Sequence, residues 1–142
     1  MEIDRQRIET YLDEIANEAM IIRSALEKSN EDIAKSPLVL RGLKYSIVLI
    51  SEAIANVLQH ILAKKNHVSI SGYTQCFTKA KDHNIISEKL FDQLKPFSSF
   101  RNMLVHQYWR IDDKIFLANL REGIDDFQLF IKEILEIVLA ND

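Results

Sequence analysis

Arg101, Asn102 and His106 bring a guanidinium, a carboxamide and an imidazole together within one short stretch, Arg101-Asn102-Met103-Leu104-Val105-His106-Gln107-Tyr108. These groups suit a phosphate ester. Arginine stays charged at physiological pH and can fork onto two phosphate oxygens. Histidine takes and gives a proton near neutrality, and asparagine can donate to an oxygen or hold the imidazole in one tautomer. At about 100° per residue, a helix with Arg101 at 0° puts Asn102 near 100°, His106 near 140° and Val105 near 40°. Phe97, Phe100, Met103 and Leu104 fall on the opposite arc, from about 200° to 320°. The apolar arc must face a core, leaving the three polar groups on one open edge. Arg101 and His106 converge best if the helix ends near His106, with Tyr108 in the turn before Asp112 and its hydroxyl free to reach the same place. Geometry alone does not separate such a site from an ordinary solvated face.

The elements that must hold this edge are helical. Ile8, Leu12, Ile15, Ala19, Ile22 and Leu26 alternate steps of four and three, predicting a first helix of about 20 to 25 residues. Ser29-Asn30-Glu31-Asp32 looks like a helix stop followed by a new cap. Ser36-Pro37 starts a long helix to about Lys64. Its stripe of Leu40, Leu43, Ile47, Ile50, Ile54, Leu58 and Ile61 is widened by Val48, Val57 and Leu62, as expected of a central helix with several neighbours. A shorter helix is predicted from Tyr73 to about His83. Ser87 caps another through Leu90, Phe91 and Leu94, which Pro96 is expected to kink or restart. A last helix begins near Asp112 or Asp113 and carries Ile124, Phe127, Ile131, Ile134 and Val138. The fold class is all-α, an up-and-down bundle of about five helices forming one domain over residues 1–142.

Bulk properties narrow the function. Only three Gly and two Pro in 142 residues argue against an all-β chain. A net charge of −3 lacks the basic excess of a dedicated duplex-binding protein, so any nucleic-acid contact is local or assembled from more than one chain. Cys76 is the only cysteine, consistent with a reducing compartment and no intrachain disulfide. The N-terminus lacks signal-peptide character. Ser51, Glu52, Asn56, Gln59 and His60 interrupt the apolar run from Ile47 to Leu62, which argues against a membrane span. The expectation is a soluble, cytoplasmic protein.

The string Arg-Asn-x-x-Val-His-x-Tyr resembles the R-x4-H-x-Y signature of HepT proteins in the HEPN superfamily. Arg41 to Leu62, with Glu52-Ala53-Ile54, resembles that family's long second helix, and Ser71 to Leu94 its short-helix region. Asp125-Asp126-Phe127 and the pattern after it resemble its last helix. The resemblance implies a dimerising all-α bundle with two motifs face to face, acting as a metal-independent endoribonuclease toxin without a cofactor. It implies that Arg101 binds and polarises the scissile phosphate and that His106 is general acid or base while the RNA 2′-hydroxyl attacks phosphorus. Asn102 would support that geometry. The products would be a 2′,3′-cyclic phosphate and a 5′-hydroxyl. Tyr108 matches the tyrosine that the cognate MNT-type nucleotidyltransferase antitoxin adenylylates, adding bulk and negative charge beside the phosphate site. Two copies of Arg101 in one cleft would supply positive potential that the net charge hides, with Arg110, Arg41 or Lys44 as further contributors or simply solvated side chains.

Other residues read more plainly. His60, His67 and His83 have no carboxylate or Cys at ligand spacing, so no metal site is expected. Cys76 reads as a small core residue. Glu52 is open between a partner for Arg101, a dimer contact and an ordinary exposed position. Trp109 could stack on a base, but packing against the bundle is the expectation. No Gly-rich phosphate loop is present. The alternatives to a ribonuclease are a non-catalytic substrate- or nucleotide-binding partner of a small nucleotidyltransferase, or a structural dimerisation bundle.

Overall fold

The computed structural model describes residues 2–140; Met1, Asn141 and Asp142, at the ends of the expected domain, lie outside the described residues. Among the described residues the regular structure is helical: α1 (Arg5–Ala25), α2 (Asn30–Ala34), α3 (Pro37–Lys65), α4 (Tyr73–Asp82), α5 (Glu88–His106), a 3₁₀ turn (Tyr108–Arg110), α6 (Asp113–Gly123) and α7 (Asp126–Ala140). That is seven helices where about five were expected. The first addition is the one-turn α2, which forms because the Ser29 side chain accepts from the Asp32 N–H at 3.1 Å. The second comes from a break between α6 and α7. The expected single last helix divides after Gly123, where an added Cβ would lie 2.7 Å from two ring atoms of Phe97. Glycine at that point lets the chain pass hard against α5.

Pro96 does not restart α5, which runs unbroken from Glu88 to His106. Its flanks are held by rings: Phe97 lies 4.8 Å from Phe127, and Phe100 meets Phe116 edge-on at 5.2 Å. Ser87 fixes the helix start. Its side chain accepts from the Leu90 N–H at 3.1 Å, while its own N–H and hydroxyl donate to Glu133 on α7 at 2.8 and 2.9 Å.

The long α3 is central, packing against α1, α2, α4 and α5. It is long and apolar enough to cross a bilayer by length and composition, with mean hydropathy 1.5 over its most apolar window. Most of that window is instead covered by neighbouring helices, with Ile47, Ile50, Val57, Leu58, Ile61 and Leu62 inaccessible or nearly so. The start of α1 is tied to α3 by the Asp4 N–H, which donates to His60 Nε2 at 2.9 Å. Arg121 on α6 closes the other end, donating to the Leu26 and Lys28 carbonyls and to Asn30 Oδ1. Those carbonyls follow the last turn of α1, where a cation is favoured. Cys76 is buried as expected, and burial pushes its thiol pKa up.

Candidate functional site

The last two turns of α5 present the polar edge. Phe97 and Phe100 anchor the opposite face in the core, and Met103 and Leu104 pack against it from partly buried positions. That anchoring turns Arg101 toward α3 and α4. Its Nε donates to Glu52 Oε1 at 2.9 Å and its Nη2 to the same oxygen at 2.5 Å. Its Nη1 donates to Asn102 Oδ1 at 3.1 Å. The guanidinium carbon sits 4.1 Å from the centre of the Tyr73 ring at the start of α4. Of the three roles open to Glu52 from sequence, the partner of Arg101 is the one observed.

This is a pre-set guanidinium. Arginine carries five N–H donors, and three are engaged, which leaves two for an incoming oxyanion. The Arg101 side chain is only 16% exposed whereas Glu52 is 44% exposed, so water screens the carboxylate more than the guanidinium. The Tyr73 hydroxyl is buried between Ser51 and Ser98, with neither at hydrogen-bonding geometry, and burial pushes its pKa up to about 12. Its ring therefore stays neutral and serves as a flat support for the cation.

His106 and Tyr108 are placed differently. α5 ends at His106, and Gln107 leaves the helix at φ −147° and ψ 50°. The 3₁₀ turn follows, closed by Arg110 Nη1 donating to Gln107 Oε1 at 3.0 Å. Both placements agree with the predicted helix end and turn. His106 is exposed and makes no hydrogen bond or ion pair with the described residues. Asn102 is bonded to Arg101 rather than to the imidazole, so it does not set the tautomer of His106 here. Tyr108 is 69% exposed. Trp109, expected to pack against the bundle, is 70% exposed, and its ring meets that of Tyr108 edge-on at 5.6 Å between centres. The turn carries both rings outward because Ile111, not Trp109, packs inward against the core.

Other cations divide. Lys44 lies against Asp113 at 2.8 Å, in an ion pair without hydrogen-bond alignment, which ties α3 to α6 and takes its charge away from the motif. Arg41 is exposed. Among the described residues no three His, Cys, Asp or Glu side chains gather as a metal site. Tyr73 was missed from sequence because nothing local marks a ring on one helix as the support of a cation on another.

Fold and site together define an all-helical bundle that displays an R-x4-H-x-Y edge at the end of one helix. The family model described as Ribonuclease HepT-like matches residues 9–134, and the chain belongs to that family. The tRNA nuclease HepT of Aphanizomenon flos-aquae (strain 2012/KM1/D3) is 31% identical over 88 residues, covering 61% of this chain. That match spans 58% of the relative's own length. A protein of Archaeoglobus fulgidus described as "Putative RNase" is 28% identical over 116 residues, covering 82% of this chain and 83% of that one. Among solved structures, a tri-AMPylated Shewanella oneidensis HEPN toxin in complex with MNT antitoxin superposes with a TM-score of 0.84. It is 20% identical and covers 92% of this chain and 97% of that chain, a likeness of fold.

Proposed function

We propose that this protein is an endoribonuclease toxin of a HepT/MNT-type pair, cleaving RNA without a metal ion through Arg101 and His106. The observation that carries this is the Arg101 guanidinium, fixed by Glu52, Asn102 and the Tyr73 ring with two N–H donors still free, on the same helix end as an unpartnered His106. A phosphodiester on those donors gains charge-assisted hydrogen bonds that strengthen as negative charge builds on the non-bridging phosphoryl oxygens. The RNA 2′-oxygen forms a bond to phosphorus while the bond to the 5′-oxygen breaks. His106 accepts the 2′-hydroxyl proton or protonates the departing 5′-oxygen, with water or the His106 of a facing copy making the complementary transfer, and a 2′,3′-cyclic phosphate and a 5′-hydroxyl result. Asn102 acts as a support for Arg101, which is narrower than holding the imidazole.

Two copies are proposed to pair with their motifs facing, bringing two Arg101 guanidinium groups, each already paired to Glu52, to one cleft. The exposed Val105, Tyr108 and Trp109 beside the motif support that pairing. Tyr108 is the proposed acceptor of AMP from an MNT-type partner, and its exposure supports its use by a second protein. The named activities of the relatives and the MNT complex of the Shewanella oneidensis toxin support the same assignment.

The test is RNA cleavage by purified protein in chelator, with Arg101→Ala and His106→Ala alongside. Loss of at least about 100-fold in each is expected. Cleavage unchanged in both variants overturns the proposal. Intact-mass measurement after incubation with an MNT-type nucleotidyltransferase and ATP should show added AMP that Tyr108→Phe abolishes.

A further inference from the structure

The face of α3 that carries Glu52 continues with Asn56 and Gln59, four and seven residues on, so all three stack along one side of the helix. With Ser71, Tyr73 and the Arg101 guanidinium they line a cleft of about 300 Å³ between α3 and the segment leading into α4. Its walls are set by bonds of their own. The Ser71 N–H and hydroxyl both donate to Gln75 Oε1 at 3.0 Å, and the Val68 N–H donates to the Leu62 carbonyl at 3.0 Å. The Asn56 and Gln59 side chains, by contrast, make no hydrogen bond with any described residue. Two free carboxamides therefore face a preformed cleft whose far wall is the Arg101 guanidinium.

We propose that this cleft takes one unpaired nucleobase adjoining the scissile phosphate, and that Asn56 and Gln59 decide which base. The inference rests on the ribonuclease assignment above and adds substrate selection to it. A carboxamide presents a donor and an acceptor side by side, the pattern that pairs with the edge of a base. Unpaired RNA bases are read on those edges and packed against apolar or aromatic side chains. Ala55, Ile70 and Cys76 supply the apolar part here. The volume sits at the lower bound of small-ligand pockets, roughly 300 to 1,000 Å³, so it admits one base and not a stacked pair. A base locked in a duplex cannot enter, so the preferred cut lies in a loop or a single-stranded end.

The experiment uses single-stranded RNA oligonucleotides with one cleavable step, varied through all four bases on each side of the cut. Wild type should favour one base at one of these positions by about tenfold or more. Asn56→Ala and Gln59→Ala should each reduce cleavage of the favoured substrate roughly 5- to 150-fold, the worth of one paired contact, while the other three bases change little. Thermal unfolding checks that each variant is folded. Absence of a base preference in wild type, or the same preference in both variants, overturns the proposal while leaving the ribonuclease assignment intact. If wild type cuts no RNA, the ribonuclease assignment fails instead. The cleft is then tested by adding the four nucleoside 3′-monophosphates to ¹⁵N-labelled protein. Shifts of the Asn56 and Gln59 side-chain amides with one nucleotide support it, and no shift with any of the four overturns it.

Discussion

Glu52→Ala should uncouple the position of Arg101 from the stability of the bundle. Glu52 Oε1 accepts from Nε at 2.9 Å and from Nη2 at 2.5 Å, so one oxygen fixes two of the three engaged guanidinium donors. A charge-assisted hydrogen bond contributes about 1.5–3 kcal/mol net. The two bonds share one acceptor, and the Glu52 side chain is 44% exposed, so solvent screening brings the expected cost of Glu52→Ala to about 1–2 kcal/mol. For a chain of this size that lowers Tm by about 3–6 °C. The effect on cleavage should be larger, because freeing the guanidinium to move by about 1 Å costs about 100-fold in rate. Glu52→Gln separates position from charge. It keeps an oxygen acceptor for Nε and Nη2, so it should retain most of the rate. Removing the carboxylate charge should also tighten RNA binding, most visibly at low salt. Steady-state cleavage of a fluorogenic RNA, with KM and kcat resolved at two ionic strengths, reads both effects. Glu52→Ala cleaving like wild type would refute positioning by Glu52. Glu52→Gln losing as much kcat as Glu52→Ala would show that the charge, not the hydrogen-bond geometry, matters.

Two further predictions concern the frame. Burial, with the cations of Arg7 and Lys64 and against the pull of Asp4, lowers the His60 pKa, and its neutral ring accepts the Asp4 N–H. The unfolded chain therefore binds the proton more readily. This contribution is full above about pH 6.5 and is lost as pH falls through the lowered folded value. Thermal unfolding from about pH 8 to pH 5 should show a decline in wild type that His60→Gln flattens, and equal slopes would contradict it. Gly123→Ala should destabilise by about 1–3 kcal/mol, since the new Cβ meets Phe97 Cε2 and Cζ at 2.7 Å. Denaturant titration should show part of that loss recovered by adding Phe97→Leu, and no recovery would move the cause to the α6–α7 backbone.

The parts legible in sequence are those decided within one turn of helix. The arc of Phe97, Phe100, Met103 and Leu104 fixed which way α5 must face, and Ser87 and Ser36-Pro37 marked where two helices start. Where a neighbour decides, local pattern falls silent. Pro96 is a helix breaker by its own chemistry, yet Phe127 and Phe116 hold the rings that flank it, and packing outweighs one lost backbone bond. The division of the last helix depends on how near Gly123 passes to Phe97, a distance that no periodicity encodes. Trp109 failed for a related reason. Hydrophobicity predicts burial on average, but the direction of a three-residue turn decides which side chain goes inward, and Ile111 takes that place.

The same division runs through the site. Arg101 is held from three sides before any ligand arrives, so its share of the ordering cost is met by folding. His106, the last residue of α5, and Tyr108 and Trp109 beyond it are exposed, so their side chains must be ordered when the site is used. Immobilising such a side chain costs about 0.5–1.5 kcal/mol. That cost falls on whatever completes the site, whether the substrate or a facing copy of the motif. A bulky anion on Tyr108 would sit on this exposed half of the site, and would not have to displace the guanidinium from Glu52. On that account modification at Tyr108 should weaken RNA binding while leaving the Tm contribution of the Arg101–Glu52 pair in place. Thermal unfolding of modified and unmodified protein, each with and without Glu52→Ala, measures this directly. A Glu52→Ala penalty that shrinks on modification would mean the two halves are coupled through Arg101 after all.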